Sequence, residues 1–178
     1  MESRLDQQAQ EMESGFTEAR AEHQAIMEDL GYVKGIFFEQ NVSKHAPAIF
    51  GRYLKRGRDV TGKILELAQE AADEGKISDA QYNRLAFTDI LWGGKVTAAQ
   101  AELVLVIEVS WKAGTYDIER VVEAVKILRS IGLQALPVVA AKEWTEATKE
   151  LAARQGVVQV TDRLVDRNSW ERALTFSE

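Results

Sequence analysis

The chain of 178 residues contains no cysteine, which excludes disulfide bonds and metal sites built on thiolates. The absence of cysteine is typical of a reducing compartment. The N-terminus lacks the apolar core of a secretory signal, and nowhere is there a run of the roughly 18 apolar residues that a membrane span needs. We therefore expect a cytoplasmic protein that has no membrane partner. Proline is scarce as well, with two residues in the whole chain.

The negative charge is confined to one end of the chain. Residues 1–30 hold eight acidic and two basic side chains, which accounts for the whole net charge of -6. The remaining residues carry 20 basic and 20 acidic groups and are formally neutral. The acidic pI of about 5.1 therefore gives no argument against a polyanionic ligand for the larger part of the chain.

The first 38 residues show a heptad pattern without proline. Apolar or small residues recur at alternating steps of three and four, which is the pattern of a coiled-coil helix. One seam position holds Ala9, Phe16, His23, Leu30 and Phe37, and the other holds Leu5, Met12, Ala19, Ile26 and Val33. We predict that residues 1–32 form a coiled-coil helix that joins copies of this chain into a homo-oligomer, a dimer or a tetramer. His23 in the seam is typical of a residue that sets register or oligomeric state.

The remainder, residues 33–178, predicts an α/β domain. A helix near Ile36 should be interrupted at His45–Pro47, because proline breaks helices. Strands are expected at 85–92, 103–111, 135–141 and 157–160; helices at 61–73, 78–85, 115–132, 146–154 and 169–176. Pro137 suggests that the third of these strands starts late or lies near an edge. The strand, helix, strand order implies a right-handed crossover, and hence a mixed or parallel sheet flanked by helices.

Glu108 ends an apolar run that begins at Leu103. An isolated buried carboxylate is too costly to keep, so Glu108 needs a hydrogen bond, an ion pair or a metal. Asp89 lies in the preceding apolar run, and two acids at the ends of neighbouring strands could meet. By strand alternation, Ser110 and Lys112 share the face of Glu108.

Two carboxylates and an ammonium group at the ends of strands can bind a hard cation such as Mg²⁺ or Mn²⁺ through oxygen ligands. The ammonium group of Lys112 would orient an attacking water while the metal stabilises the transition state. The reaction class that this arrangement predicts is phosphodiester hydrolysis. Taken alone, Asp89 fits equally well as a turn or capping residue.

At these residues the chain resembles the PD-(D/E)XK nuclease superfamily, over roughly Val33 to Thr161. The resemblance implies a restriction-endonuclease-like core, with Asp89 at the family's Asp, Glu108 at its Glu and Glu39 at the metal-binding Glu of its first helix. The heptad helix followed by this domain is also similar to coiled-coil nuclease-like proteins of cyanobacteria and other bacteria. The family's Lys position holds Ser110 here. Lys112, or Lys126 on the following helix, is then the candidate for the catalytic cation.

A basic tract follows the first helix and consists of Arg52, Lys55, Arg56, Arg58 and Lys63, with Asp59 as its only acid. Such a tract could neutralise the phosphates of DNA, or it could be an ordinary solvated surface. Gly93–Gly94–Lys95 does not have the spacing of a phosphate-binding loop. Two functions are therefore expected: a Mg²⁺-dependent or Mn²⁺-dependent deoxyribonuclease, or a catalytically inactive nuclease-like protein that oligomerises or binds DNA.

Overall fold

A computed structural model describes residues 2–96 and 101–176. The helices are α1 (Glu2–Phe50), α2 (Thr61–Asp73), α3 (Asp79–Ala86), α4 (Thr115–Ser130), α5 (Glu146–Arg154) and α6 (Arg167–Phe176). The strands are β1 (Leu54–Asp59), β2 (Ile90–Val96), β3 (Glu102–Lys112), β4 (Ala135–Glu143), β5 (Val158–Thr161) and β6 (Leu164–Val165). The chain divides into two compact units between Phe37 and Phe38, and each is described by itself.

The first unit is the part of α1 that ends at Phe37, and it presents its apolar side chains to solvent. Seven large apolar residues of the heptad seam are 43% to 67% exposed: Leu5, Met12, Phe16, Ile26, Leu30, Val33 and Phe37. The predicted helix is therefore present. Its assembly into a coiled coil stays a prediction. Within the described residues, no helix is both long enough and apolar enough to span a bilayer.

The predicted interruption at His45–Pro47 is wrong, because α1 continues through Pro47 to Phe50. Pro47 lies in the last turn, where it removes one backbone hydrogen bond, and the buried Ala46, Ile49 and Phe50 hold that turn to the core. The helix ends at Phe50, and at the next residue, Gly51, a Cβ atom would lie 2.5 Å from the carbonyl oxygen of Pro47.

The second unit is built on a six-stranded mixed sheet in the order β1-β2-β3-β4-β5-β6. β1, β2 and β3 are antiparallel neighbours, β3, β4 and β5 are parallel, and β6 is antiparallel to β5. Helix α4 makes the crossover between β3 and β4. The predicted α/β class, with a mixed sheet flanked by helices, is therefore confirmed.

Each face of the sheet carries its own apolar core. On one face, buried residues of α2 and α4 pack against side chains of β3 such as Val106. On the other face, α1 from Phe38 onward and Trp170 of α6 pack against Leu105 and Ile107. The alternation of β3 between these two cores explains its long apolar run, because a strand covered on both sides needs apolar residues at every position.

The start of β2 and the place of β4 in the sheet differ from the predictions. The predicted strand from Leu85 begins instead at Ile90, because Leu85 belongs to α3, which starts with a capping box of Ser78 and Gln81. Pro137 lies in β4, which is central and not at an edge. The pairing of β4 with β5 begins only at Val138, so the missing N–H of Pro137 breaks no hydrogen bond on that side.

Strand β1 was not predicted, because its sequence LKRGRD is mostly basic and lacks apolar alternation. It forms an edge of the sheet, with a register shift between Lys55 and Arg58. Edge strands have one solvated side and tolerate charged residues, which weakens any hydrophobic signal in the sequence.

Candidate functional site

Asp89 and Glu108 lie side by side at one end of the β2–β3 ladder. Ile90 pairs with Ile107, which places Asp89, the residue just before β2, opposite Glu108. The carboxylate oxygen Oδ2 of Asp89 accepts a hydrogen bond of 2.8 Å from the backbone N–H of Val109. Glu108 is only 6% exposed, and of the described residues only Glu108 and Ser169 are polar and fully buried. The predicted meeting of the two acids is therefore present in the structure.

Arg120 of α4 supplies the positive charge at this pair. Its Nη2 donates a hydrogen bond of 3.3 Å to Oε1 of Glu108, and its Nε lies 3.2 Å from Oε2. The Arg120 side chain is 18% exposed and the Glu108 side chain is 7% exposed, so this ion pair is largely shielded from water. Glu108 thus has the partner that its buried position requires.

The guanidinium group of Arg120 is held by two further contacts. Nη2 also donates to the carbonyl oxygen of Phe87 at 2.9 Å, and Nη1 donates to the hydroxyl of Tyr116 at 3.1 Å. The buried Nε atom lies 3.2 Å from Oε2 of Glu108 and makes no hydrogen bond within the described parts of the chain. The guanidinium group is therefore fixed against Glu108.

Arg120 contacts Glu108 directly, its charge also acts on Asp89, and the pKa values of both carboxyl groups reflect this. Burial, followed by the charge of Asp89, raises the pKa of Glu108 to about 7, although Arg120 opposes the shift. Burial also raises the pKa of Asp89, where the Val109 amide and Arg120 oppose it. Near neutral pH the pair therefore holds or releases a proton at Glu108, and a cation beside it would favour the ionised form.

The raised pKa of Glu108 predicts a pH dependence of stability. Because the folded pKa of about 7 exceeds the ordinary value of 4.5, the stabilisation is fully present below about pH 4.5 and is lost as pH rises through about 7. At about 1.4 kcal/mol per pKa unit, we expect Glu108 to lower the unfolding free energy by about 3 kcal/mol over that range. Urea denaturation at pH values across it measures the effect.

The control for this prediction is a pair of variants. Glu108→Gln carries no ionisable group at that position, so its unfolding free energy should lack this decline. Glu119→Gln changes an exposed carboxylate on the same helix as Arg120, and its curve should follow that of the unchanged chain. Parallel curves for the unchanged chain and Glu108→Gln would show that Glu108 titrates normally.

Glu39 on α1 lies at the margin of this site. Burial, followed by the charge of Asp89, raises the pKa of its carboxyl group, so the two acids lie within electrostatic reach of each other. The three acids that the sequence predicted, Glu39, Asp89 and Glu108, therefore lie towards the same end of the sheet. No three His, Cys, Asp or Glu side chains in residues 2–96 and 101–176 form a group that could hold a metal by themselves.

The predicted catalytic cation is not where the sequence placed it. The hydroxyl of Ser110 donates to the carbonyl oxygen of Lys112 at 2.9 Å. Lys112 itself is exposed and forms no ion pair with any residue that the structure describes. Lys126 lines a different groove, between α4 and α5. Neither lysine contacts the carboxylate pair, and Arg120 does.

Sequence reasoning missed Arg120. The sequence indicated it only weakly, because Arg120 is a polar residue next to the buried stripe of Ile118, Val121 and Val125 on α4. It lies one helical turn after Tyr116. The crossover helix begins directly after β3, so its first turns pass close to the end of the strand that carries Glu108. Because of the direction in which α4 packs on the sheet, Arg120 contacts Glu108 and Lys126 does not. The spacing of residues along the sequence does not predict this packing direction.

The basic tract lies at the opposite end of β3. Arg56, Arg58 and Lys63 line a cleft together with Glu102 and Val104. Val104 precedes Glu108 by four residues, or about 13 Å along a strand. Arg52 and Lys55 do not line this cleft. The structure therefore does not bring the tract to the carboxylate pair.

Mg²⁺ binds proteins through one or two carboxylates and completes its shell with water and substrate phosphates. Asp89 and Glu108 are two adjacent acids, both with a pKa raised by burial, and Glu108 is ion-paired with Arg120. The chain matches no protein-family model, no curated protein and no solved structure. Its functional assignment accordingly depends on the geometry of this site.

Proposed function

We propose that this protein is a divalent-metal-dependent nuclease that hydrolyses phosphodiester bonds of DNA at Asp89, Glu108 and Arg120. The observation that carries the proposal is the adjacency of two carboxylates, of which Glu108 is buried and ion-paired with Arg120 and Asp89 accepts the Val109 amide. With both acids ionised, the three side chains carry a net negative charge. A buried net charge requires a proton or a cation, and a divalent cation answers this requirement at the pH of a cell.

Asp89 and Glu108 would hold Mg²⁺ or Mn²⁺, and Glu39, whose carboxyl group is within reach of the charge of Asp89, would add negative charge at the margin of the site. When bound, the ion lowers the pKa of a water and neutralises charge on the phosphate. The Val109 N–H fixes the carboxylate of Asp89, and the guanidinium group of Arg120 fixes that of Glu108. Both acids are therefore held in place before any ligand arrives, which reduces the cost of binding.

Arg120 takes the part that lysine plays in the motif. Its guanidinium group is held against Glu108 by the Nη2 hydrogen bond and the Nε ion pair, so its positive charge is fixed next to the carboxylates. A fixed cation at this place stabilises the negative charge that grows on a phosphate oxygen in the transition state. Ser110 and Lys112 need no catalytic role in this arrangement.

The order of elements supports membership in the PD-(D/E)XK superfamily. Helix α1 is followed by β1, and after α2 and α3 come the antiparallel β2 and β3, the crossover helix α4 and the parallel β4. The two acids lie on or next to consecutive strands, as that family's motif requires, and Glu39 lies on the first helix. We propose a restriction-endonuclease-like core on this basis.

Nicking of supercoiled plasmid DNA tests the proposal. The full chain with Mg²⁺ or Mn²⁺ should convert supercoiled plasmid to the open circle, and a chelator should stop the reaction. A chain that binds the metal and still leaves both plasmid and single-stranded DNA uncut would contradict the hydrolytic function.

One observation favours a second candidate function. Ser110 is at the family's Lys position, no lysine contacts the carboxylate pair, and Glu108 is in a shielded ion pair. The same fold could then act as a catalytically inactive head that oligomerises or binds DNA. Retention of DNA on the protein without any cleavage, in the presence of Mn²⁺, distinguishes this function from the first.

We further propose that the heptad seam of α1 joins two or four copies of this chain. Its apolar residues are exposed in the single chain, and the seam repeats every seven residues from Leu5 to Phe37, which suits another copy of the same helix. Burying such side chains in a coiled coil is favourable by roughly 1.5–3 kcal/mol for each one that becomes fully covered.

The oligomer can be tested by one substitution in the seam and one beside it. Ile26→Asp places a charge in the seam, and we expect the molecular mass from light scattering to fall to that of the monomer. Met27→Asp places the same charge one residue along, on an apolar side chain that is also exposed but lies outside the seam, and it should keep the oligomer. If the unchanged chain is a monomer, or if both substitutions have equal effects, the proposal that the heptad seam joins copies of this chain is contradicted.

A further inference from the structure

A basic cleft lies at the end of β3 that is remote from the carboxylate pair. Its volume is about 460 Å³, which is within the range of sites that hold small ligands. The charged side chains that line it are Arg56, Arg58, Lys63, Lys95 and Glu102. Four cations thus face one acid across a concave surface. None of the lining residues, all from the described ranges, is aromatic.

The cations of the basic cleft are not neutralised by the protein. Throughout residues 2–96 and 101–176, no ion pair involves Arg56, Arg58 or Lys63, or Lys95 on β2. The first three are exposed and Lys95 is half-buried. Four cations that converge around the single carboxylate of Glu102 leave a net positive charge and repel one another, so an anion in the cleft would lower their energy.

Protection of an edge strand explains only part of this arrangement. Charged residues on β1 would discourage pairing with another chain, and that accounts for Arg56 and Arg58. It does not account for Lys63 of α2 and Lys95 of β2, which lie away from the edge and line the same cleft. The convergence of three elements on one concavity is what a binding site requires.

The bulge in β1 adapts this strand to the basic cleft. Its extra residue falls between Lys55 and Arg58, and Arg56 has a φ of 55°, a conformation that costs a non-glycine residue about 1 kcal/mol. Gly57 allows the close approach to Trp92, whose Nε1 atom would lie 2.5 Å from an added Cβ. Arg56 and Arg58 both line the cleft as a result.

We propose that the basic cleft binds a nucleic acid through its backbone phosphates. Guanidinium groups bind phosphate with two parallel hydrogen bonds, and a lining without aromatic rings offers the bases no stacking surface. Contacts to phosphates alone carry no sequence information, so binding is independent of base sequence. Exposed Arg52 and Lys55 lie outside the cleft on neighbouring residues, and they continue the positive charge beyond it, which favours a linear polyanion over a compact one. The site does not depend on the carboxylate pair.

The test measures fluorescence anisotropy of a labelled oligothymidine with the full chain, in a chelator that prevents any metal-dependent reaction. A single strand that contacts four cations should give a slope of log K against log salt of about -3. Arg58→Gln and Lys63→Gln should each weaken binding about fivefold and make the slope shallower by about 0.7. Because no metal is present, the result does not depend on whether the nuclease function is correct.

Two matched variants and one competitor decide the outcome. Arg154→Gln removes an exposed arginine at the end of α5 and should bind as the unchanged chain does; Arg52→Gln should lose less than Arg58→Gln. Equal losses in all the variants would mean that overall charge, and not the cleft, attracts the strand, and would overturn the proposal. Tight binding of inorganic pyrophosphate without binding of the oligothymidine would overturn it as well.

Discussion

Glu108→Gln is expected to lower metal-dependent nicking of DNA by at least about 100-fold, the size of effect seen when one charge-stabilising group is removed from an active site. The amide keeps the shape of the side chain and can still accept a hydrogen bond from Arg120. It cannot supply the negative charge that holds a divalent cation next to Asp89. The initial rate of conversion of supercoiled plasmid to open circles, at saturating Mn²⁺, measures the loss.

Glu119→Gln is the matched control for this prediction, because it removes one carboxylate from the surface of α4 beside Arg120. It should nick DNA at the rate of the unchanged chain. Full activity in Glu108→Gln would assign the nicking to another site or to a contaminating nuclease, and the carboxylate pair would lose its proposed role.

Arg120→Gln is expected to lower the unfolding free energy by about 3 kcal/mol at about pH 8, because breaking a buried ion pair leaves its partner's charge without compensation. The loss should be about 1 kcal/mol smaller at about pH 5, where Glu108, with a pKa of about 7, is protonated with or without the guanidinium group. The variant also loses the hydrogen bonds to the Phe87 carbonyl and the Tyr116 hydroxyl. Urea denaturation at the two pH values gives both numbers.

Arg84→Gln is the comparison that isolates burial. Arg84 pairs with Glu123 of α4 at 3.0 Å, but the Glu123 side chain is 58% exposed, and exposed pairs contribute about 1 kcal/mol or less. A loss in Arg120→Gln no larger than in Arg84→Gln would mean that the Glu108 pair is not shielded. Arg120→Lys restores a cation of the type that the motif uses, and we expect it to recover part of the nicking that Arg120→Gln loses.

The fold was predictable wherever one strong periodicity decided the element. The unbroken apolar run ending at Glu108 predicted β3, and the stripe from Ile118 to Leu128 predicted α4. The prediction failed where tertiary contacts outweighed local preference. Pro47 stays in a helix because the buried Ala46 and Phe50 hold it, and β1 forms from a basic sequence because β2 offers it an edge.

The candidate site was half predictable for a physical reason. Strand alternation and the cost of a buried charge identified Glu108 and its partner Asp89, since both arguments need only local sequence. To predict which cation contacts Glu108, one must know how α4 packs across the sheet, and local sequence does not give this packing. Lys112 was therefore predicted and Arg120 was missed. The basic tract was recognised as a group, but only the strand pairing shows that part of it forms a cleft far from the acids.

The central claim is that Asp89 and Glu108 form a site for one divalent cation in exchange for a proton. Calorimetric titration of the full chain with Mn²⁺, at about pH 6 and about pH 8, tests this most directly. We predict one bound ion per chain, tighter binding at the higher pH because fewer protons compete, and no binding to Glu108→Gln. Equal Mn²⁺ binding by the unchanged chain and by Glu108→Gln, or none by either, would contradict the account.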